Sequence, residues 1–328
     1  MIVENIDVKE KISDTELKDT ETPILEVKDL SVSFKQYVRG LRQRQLEVIS
    51  NLSLDLYQGK IVAVVGSSGS GKSLLAHSIL GILPSNAETR GTIRYKGKIL
   101  SKREQAGLRG QKISFIPQSV NFLDPLMRVG KQVMGTSKNK AWAKKQKNIF
   151  LRYGLDPKVA KLFPFQLSGG MARRVLVASA LISDANIIIA DEPTPGMHKE
   201  IVEETMGHLR ELADKGCAIM LITHDLESIL DIADHVAVFY AGTTVEIAPV
   251  KDFSGEGLNL RHPYSRALWQ ALPSNGFSPT NGFQPSSVSL PAGCLFGPRC
   301  EMATKTCYRS RPQLRHLKGA KVRCFNAS

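Results

Sequence analysis

Eight residues, Gly66-Ser67-Ser68-Gly69-Ser70-Gly71-Lys72-Ser73, constrain this chain more than any other feature. They follow Ile61-Val62-Ala63-Val64-Val65, apolar at every position, which reads as a strand covered on both faces. They precede a pattern that reads as a helix from about Lys72. Strand, glycine-rich turn and helix N-terminus form the context in which G-x-x-x-x-G-K-S cradles the phosphates of a nucleotide. The glycines let backbone N–H groups turn inward around the anion, and the helix end favours negative charge. Lys72 is then placed to reach the β and γ phosphates and the Ser73 hydroxyl to ligate Mg2+. All eight residues are candidates for holding ATP.

A second apolar run, Ile187-Ile188-Ile189-Ala190, ends in Asp191-Glu192. In a phosphoryl-transfer site the first acid holds the Mg2+ shell, and the next orients and polarises the attacking water. Asp191 and Glu192 are the candidates for those roles, against the plainer reading of two acids that cap a strand.

At 328 residues the chain suits one large α/β domain with a smaller appendage. No stretch approaches 18 consecutive apolar residues, so no membrane span is expected. The N-terminus lacks the basic start and apolar core of a secretory signal, which points to a cytoplasmic location. The net charge of +13 gathers at residues 35–44, 138–147 and 309–323. These clusters read as solvated faces first, a membrane-adjacent surface next and a nucleic-acid site last, so no nucleic-acid partner is expected. Residues 1–22, with seven acids against three lysines, read as a disordered leader.

Residues 24–34 and 46–56 alternate apolar and polar positions, as antiparallel strands do, and residues 91–100 repeat the pattern. Residues 113–117 read as a strand, and 119–166 as a Lys-rich helical insertion. A helix over 171–182 and strands at 186–190, 218–223 and 236–240 continue the strand–helix alternation of a mostly parallel sheet, with a helix expected at 226–233. Residues 273–291, rich in Ser, Asn, Gly and Pro, read as a linker to a small cysteine-containing module.

Leu167-Ser168-Gly169-Gly170-Met171 resembles the signature motif that separates ABC ATPases from other P-loop proteins. The resemblance implies an α/β P-loop ABC fold: a mostly parallel core sheet, an antiparallel β subdomain and an inserted helical subdomain, 119–166, within a nucleotide-binding domain spanning 23–258. It also implies a head-to-tail dimer, in which Ser168, Gly169 and Gly170 of one cassette close over the γ phosphate held by the other. Gln118 resembles the residue that senses γ phosphate and Mg2+. Thr223-His224-Asp225 resembles the segment carrying the switch histidine. Phe34 and Tyr37 are the candidates for stacking on adenine. One position departs from the pattern: after Pro193-Thr194-Pro195-Gly196-Met197, His198 stands where the family has an Asp that couples the two sites. Altered communication with a non-identical second cassette is the expectation.

His262-Pro263-Tyr264 and Gly293-Cys294-Leu295-Phe296-Gly297-Pro298-Arg299-Cys300 resemble the C-terminal region of oligopeptide, dipeptide and nickel importer ATPases, and the likeness runs from about 24 to 325. It makes 259–328 a family module, and implies a peripheral subunit on the cytoplasmic face. Its partners would be two permease subunits, a second ATPase and an extracytoplasmic substrate-binding protein. Insertion 119–166 is short for that group. Four of five cysteines, Cys294, Cys300, Cys307 and Cys324, crowd into the last 35 residues. Members of the group can carry a 4Fe-4S cluster on cysteines of this pattern, so the resemblance implies one here; zinc and unliganded thiols are the alternatives. A cassette that binds ATP but hydrolyses it weakly beside an active partner is the alternative function.

Overall fold

The computed structural model describes residues 22–39, 42–135, 140–278 and 280–328, so all but the last residue of the acidic leader lies outside the described residues. The chain runs through β1 (Leu25–Arg39), β2 (Arg42–Leu56), β3 (Ile61–Gly66), α1 (Lys72–Leu80), β4 (Ala87–Tyr95), β5 (Lys98–Ile99), α2 (Lys102–Leu108) and β6 (Ile113–Ile116). Helices α3 (Val129–Met134), α4 (Lys140–Arg152) and α5 (Gly169–Leu181) follow. Next come β7 (Ile187–Asp191), α6 (Lys199–Asp214), β8 (Ala218–Ile222), β9 (His235–Tyr240) and β10 (Thr243–Pro249). The last elements are α7 (Pro263–Gln270), α8 (Lys305–Arg309), β11 (Arg315–Leu317) and β12 (Ala320–Val322).

The uniformly apolar strands divide their side chains between two cores. Ile61, Ala63 and Val65 of β3 point into one, with Ile188, Ala190, Ile219 and Leu221. Val62 and Val64 point into the other, with Ile187, Ile189, Met220 and Ile222. This is why no position in them is polar: the period of two along a strand meets apolar cover on both faces. The eight-stranded sheet runs β11-β12-β10-β9-β3-β8-β7-β6, and β9, β3, β8, β7 and β6 are parallel neighbours. The four-stranded antiparallel sheet β2-β1-β4-β5 supplies Leu25, Val27, Leu52 and Leu54 to the second core, beside Leu75 and Ile79 of α1.

Two features depart from the sequence reading. The segment expected to be a helix at 226–233 forms only a 3-10 turn over Glu227–Ile229, because Ser228 N–H donates to the Asp225 carboxylate at 3.1 Å and Leu230 N–H to the Glu227 carbonyl at 3.3 Å. The insertion holds two helices, α3 and α4, rather than a helical run; Pro157 and Pro164 each open a 3-10 turn instead. The reading also left out α6, whose inward positions Thr205, Met206, Leu209 and Ala213 recur at helical spacing.

The insertion is bolted to the core through α6. The Tyr153 hydroxyl lies 2.9 Å from Nδ1 of His208, and both side chains are buried. Arg152 pairs with Glu211 at 2.7 Å and with Glu204. Burial, reinforced by the Arg152 charge, pushes His208 down to about 4. A histidine held neutral in the fold but free to protonate when unfolded contributes stability above pH 6.5, which is lost as pH falls toward 4. Between pH 7 and 5 this costs about 2 kcal/mol through His208. His208→Gln should flatten the fall of melting temperature over that interval, and an unchanged slope would sink the assignment.

The C-terminal strands join the core sheet: β12 pairs antiparallel with β10, Glu246 opposite Val322. Arg323 donates to the carbonyls of Thr244 at 3.0 Å, Pro312 at 3.2 Å and Asn51 at 2.8 Å, joining three segments. The His-Pro-Tyr segment has a structural basis. The buried Glu246 carboxylate accepts from the N–H groups of Arg261 at 2.8 Å and His262 at 2.9 Å, ahead of α7. Nδ1 of His262 then accepts from Tyr264 N–H at 3.0 Å, and full burial holds this imidazole neutral, down to about 3. Among the described residues, no helix is long and apolar enough to cross a membrane.

Candidate active site

The phosphate loop is held from below by contacts only glycine allows. Gly66 ends β3 at φ +148°, and a Cβ there would stand 2.2 Å from the Phe239 carbonyl oxygen. Gly71 precedes α1 without any side-chain cap, so the first N–H groups of that helix are free to meet an anion. Ser67 is half-buried, Ser68 and Gly69 are exposed, and Ser70 is buried. Lys72 arches back to donate to the Gly66 carbonyl at 2.8 Å and the Ser67 carbonyl at 3.0 Å. Burial lowers its pKa, opposed by the charges of Glu192 and Asp191.

Strand β7 delivers the acids to that loop. Asp191 is buried and bonded to the Ser73 side chain; burial raises its pKa, which the Ser73 bond partly offsets. Its Oδ1 and the hydroxyl of Ser70 are buried polar atoms without a partner among the described residues. Such orphaned atoms are costly unless a ligand completes them. Oxygen donors from Ser73 and Asp191 beside phosphate oxygens are the set Mg2+ takes, so these residues fit that ion.

Glu192 takes φ +45°, a strained left-handed conformation for a residue with a side chain, and its N–H is fixed on the Ile222 carbonyl at 2.9 Å. Its carboxylate faces two of the other candidates. One oxygen accepts from Nε2 of Gln118 at 3.1 Å, and the other lies 3.3 Å from Nδ1 of His224. Three candidates far apart in the sequence therefore meet on one carboxylate.

The signature residues lie at the start of α5, where the Ser168 hydroxyl accepts from Met171 N–H at 3.3 Å. Ser168 and Gly169 are exposed, and Gly170 lies beside the Gly196 carbonyl of the turn that leads to His198, itself exposed. The stacking candidates divide: Phe34 packs against the second core, whereas Tyr37 is 68% exposed and accepts from Gln43 through its hydroxyl at 3.1 Å. Two residues escaped sequence reading. Arg173 donates to the Pro117 carbonyl at 2.9 Å, tying α5 to the Gln118 loop, and feels both acids. His77 of α1 is an electrostatic neighbour of Asp191 and packs edge-on to Phe115 at 6.1 Å. Nothing in a single sequence marks either one.

The four C-terminal cysteines are free and gather electrostatically: Cys300 feels Cys324, Cys294 and Cys307, and Cys294 feels Cys307 and Cys324. Burial pushes the thiols of Cys294, Cys300 and Cys324 up. Among the described residues, however, no three His, Cys, Asp or Glu side chains stand close enough together to hold a metal ion. The Cys307 thiol is instead engaged by Thr304 at 3.5 Å and by Asn326 at 3.7 Å. Cys217 is a core residue, its thiol pushed up to about 12 by burial.

Residues 49–195 match the model of the ABC transporter family, and residues 245–307 that of the oligopeptide/dipeptide transporter C-terminal region. The dipeptide transport ATP-binding protein DppD of Bacillus subtilis is 37% identical over 309 residues, 88% of this chain and 90% of that protein. The oligopeptide transport ATP-binding protein OppD of Salmonella typhimurium is 33% identical over 92% of this chain and 93% of its own. Among solved structures, the dimeric post-hydrolysis state of the ATP-binding cassette MJ0796 bound to ADP and Pi superposes with TM-score 0.60 at 24% identity, covering 69% of this chain and 98% of that one. An ATP-binding subunit of an ABC transporter gives 0.59 at 24% identity, over 70% and 91%.

Proposed function

Because the chain belongs to the ABC transporter family, among its oligopeptide and dipeptide ATP-binding proteins, we propose that it powers the import of peptides, or of a related small solute, by hydrolysing ATP at the site just described. One observation carries this reading: Gln118 and His224 converge on Glu192, next to the loop that holds Lys72 and Ser73. Glu192 is the base that orients the attacking water, Gln118 and His224 fix its carboxylate, and Lys72 swings from the loop carbonyls to the phosphates. When bound, Mg2+ neutralises phosphate charge, and Ser73, Asp191 and Gln118 are the residues that hold it. Tyr37, exposed on the β1–β2 hairpin, is favoured over Phe34 for the adenine.

The exposed Ser168 and Gly169, with Gly170 behind them, suit closure over a partner cassette's nucleotide, and His198, on the turn whose Gly196 lies by Gly170, favours a non-identical partner. Two permease subunits and a substrate-binding protein complete the assembly, with this chain peripheral on the cytoplasmic face. A 4Fe-4S cluster on Cys294, Cys300, Cys307 and Cys324 is supported by the gathering of four thiols in a small module. Purification of the complex in detergent, under anaerobic conditions, followed by mass spectrometry and iron and acid-labile sulfide analysis, tests both levels. Two membrane proteins, a second cassette and iron with sulfide are expected. A chain recovered without membrane partners would overturn the transport assignment, and iron-free, sulfide-free protein the cluster.

A further inference from the structure

Residues 280–291, read from sequence as a linker, cross the nucleotide site. The Gln284 side chain accepts a hydrogen bond from the hydroxyl of Ser67, the first residue after Gly66 in the phosphate loop. Four residues on, the Val288 carbonyl is held by the guanidinium of Arg44 on β2, the strand that pairs Tyr37 with Gln43. Both ends of the segment are gripped by arginines of the cysteine module. Arg299, next to Cys300, donates to the carbonyls of Asn281 at 2.9 Å and Thr280 at 3.2 Å. Arg311, between Cys307 and Cys324, reaches the Pro291 carbonyl at 3.5 Å and the Ser50 hydroxyl at 2.6 Å. A segment tied at both ends and touching the loop in its middle is a strap, not a free tether.

Ser67 is engaged from two sides: its hydroxyl by Gln284, its carbonyl by Lys72, which also takes the Gly66 carbonyl. A triphosphate needs the Lys72 ammonium for itself, so Lys72 must leave those carbonyls when nucleotide enters. Gln284 thus braces the loop in the arrangement that turns Lys72 inward. The strap's chemistry suits reversible contact: Gln284 is half-buried while its neighbour Phe283 is 95% exposed, so little apolar area anchors the crossing itself.

We propose that residues 280–291 are an inhibitory strap: Gln284 holds Ser67 in the state that withdraws Lys72, and ATP binding releases the strap from the loop. This rests on the assignment of residues 66–73 as the ATP site. The full-length chain is titrated with a fluorescent ATP analogue, wild type beside Gln284→Ala. Losing one braced hydrogen bond should tighten binding about five-fold, since the same interaction is no longer displaced. Hydrogen–deuterium exchange of residues 280–291 in the wild type should rise on saturation with ATP. Affinity unchanged or weakened in a variant that melts like the wild type would overturn the strap, weakening in particular making Gln284 a nucleotide ligand. Exchange that stays the same or falls with ATP would overturn it equally, and needs no variant to fold. A wild type that binds no analogue would overturn the nucleotide assignment and the strap together, whereas normal wild-type binding with either negative result sinks the strap alone.

Discussion

Glu192→Gln is expected to lower ATP turnover of the assembled transporter by at least about a hundred-fold while leaving nucleotide affinity near wild type. The amide keeps the length and planarity of the carboxylate, and β8 still fixes the backbone through the Ile222 carbonyl. What disappears is the negative charge that polarises water, together with the acceptor pair that Gln118 and His224 now share. Lys72, Ser73 and Asp191 are untouched, so binding survives. Steady-state phosphate release from the reconstituted complex, with a parallel nucleotide titration, separates the two effects. Turnover unchanged by the substitution would assign hydrolysis to the partner cassette and leave this chain as the alternative reading has it, a cassette that binds ATP beside an active partner.

Gly242→Ala should be the most damaging small substitution away from the reacting groups. Gly242 sits in the β9–β10 turn at φ +84°, and a Cβ there would stand 2.1 Å from the Val48 carbonyl oxygen and 3.2 Å from Cα of Ile49. Its own carbonyl accepts from Ser50 N–H at 2.9 Å. Its Cα lies 3.8 Å from where a Cβ on Gly71 would be, so the turn, β2 and the phosphate loop meet at this point. Backbone cannot step aside as a flexible side chain would. Left-handed strain and the clash together should cost about 4 kcal/mol, lowering the melting temperature by roughly 8 °C in a chain of this size. Calorimetry of wild type and variant measures it, and a loss within 1–2 °C would mean that β2 is not packed on the turn as described.

Sequence reading reached the parts of the site that rest on strict local chemistry. A glycine loop between an apolar strand and a helix, and two acids at the end of another apolar strand, mean the same thing in almost any context. Gln118 and His224 were legible only through resemblance, since a lone Gln or His carries no mark of the carboxylate it will face. Arg173, His77 and Gln284 were illegible because their roles come from tertiary placement: α5 against the Pro117 carbonyl, α1 beside Asp191, and a chain segment 217 residues from Ser67 brought back across it. The fold was read well wherever strands were uniformly apolar. It was misread at 226–233, where an Asp side chain competed for the backbone, and missed at α6, whose pattern was present but left unread. The four cysteines were found by their crowding alone, which spacing could not turn into a ligand geometry.

The pairing of β12 with β10 reaches beyond the site. Strand β10 is seven residues long and buried along nearly its whole length, while the outermost strand, β11, has only three residues and two exposed positions. The C-terminal hairpin therefore serves as an edge guard, exchanging a long buried edge for a short exposed one. A nucleotide-binding core trimmed of its last strands would keep every catalytic residue yet present β10 as a template for self-association. In such a chain solubility, as well as catalysis, would set the shortest length that works.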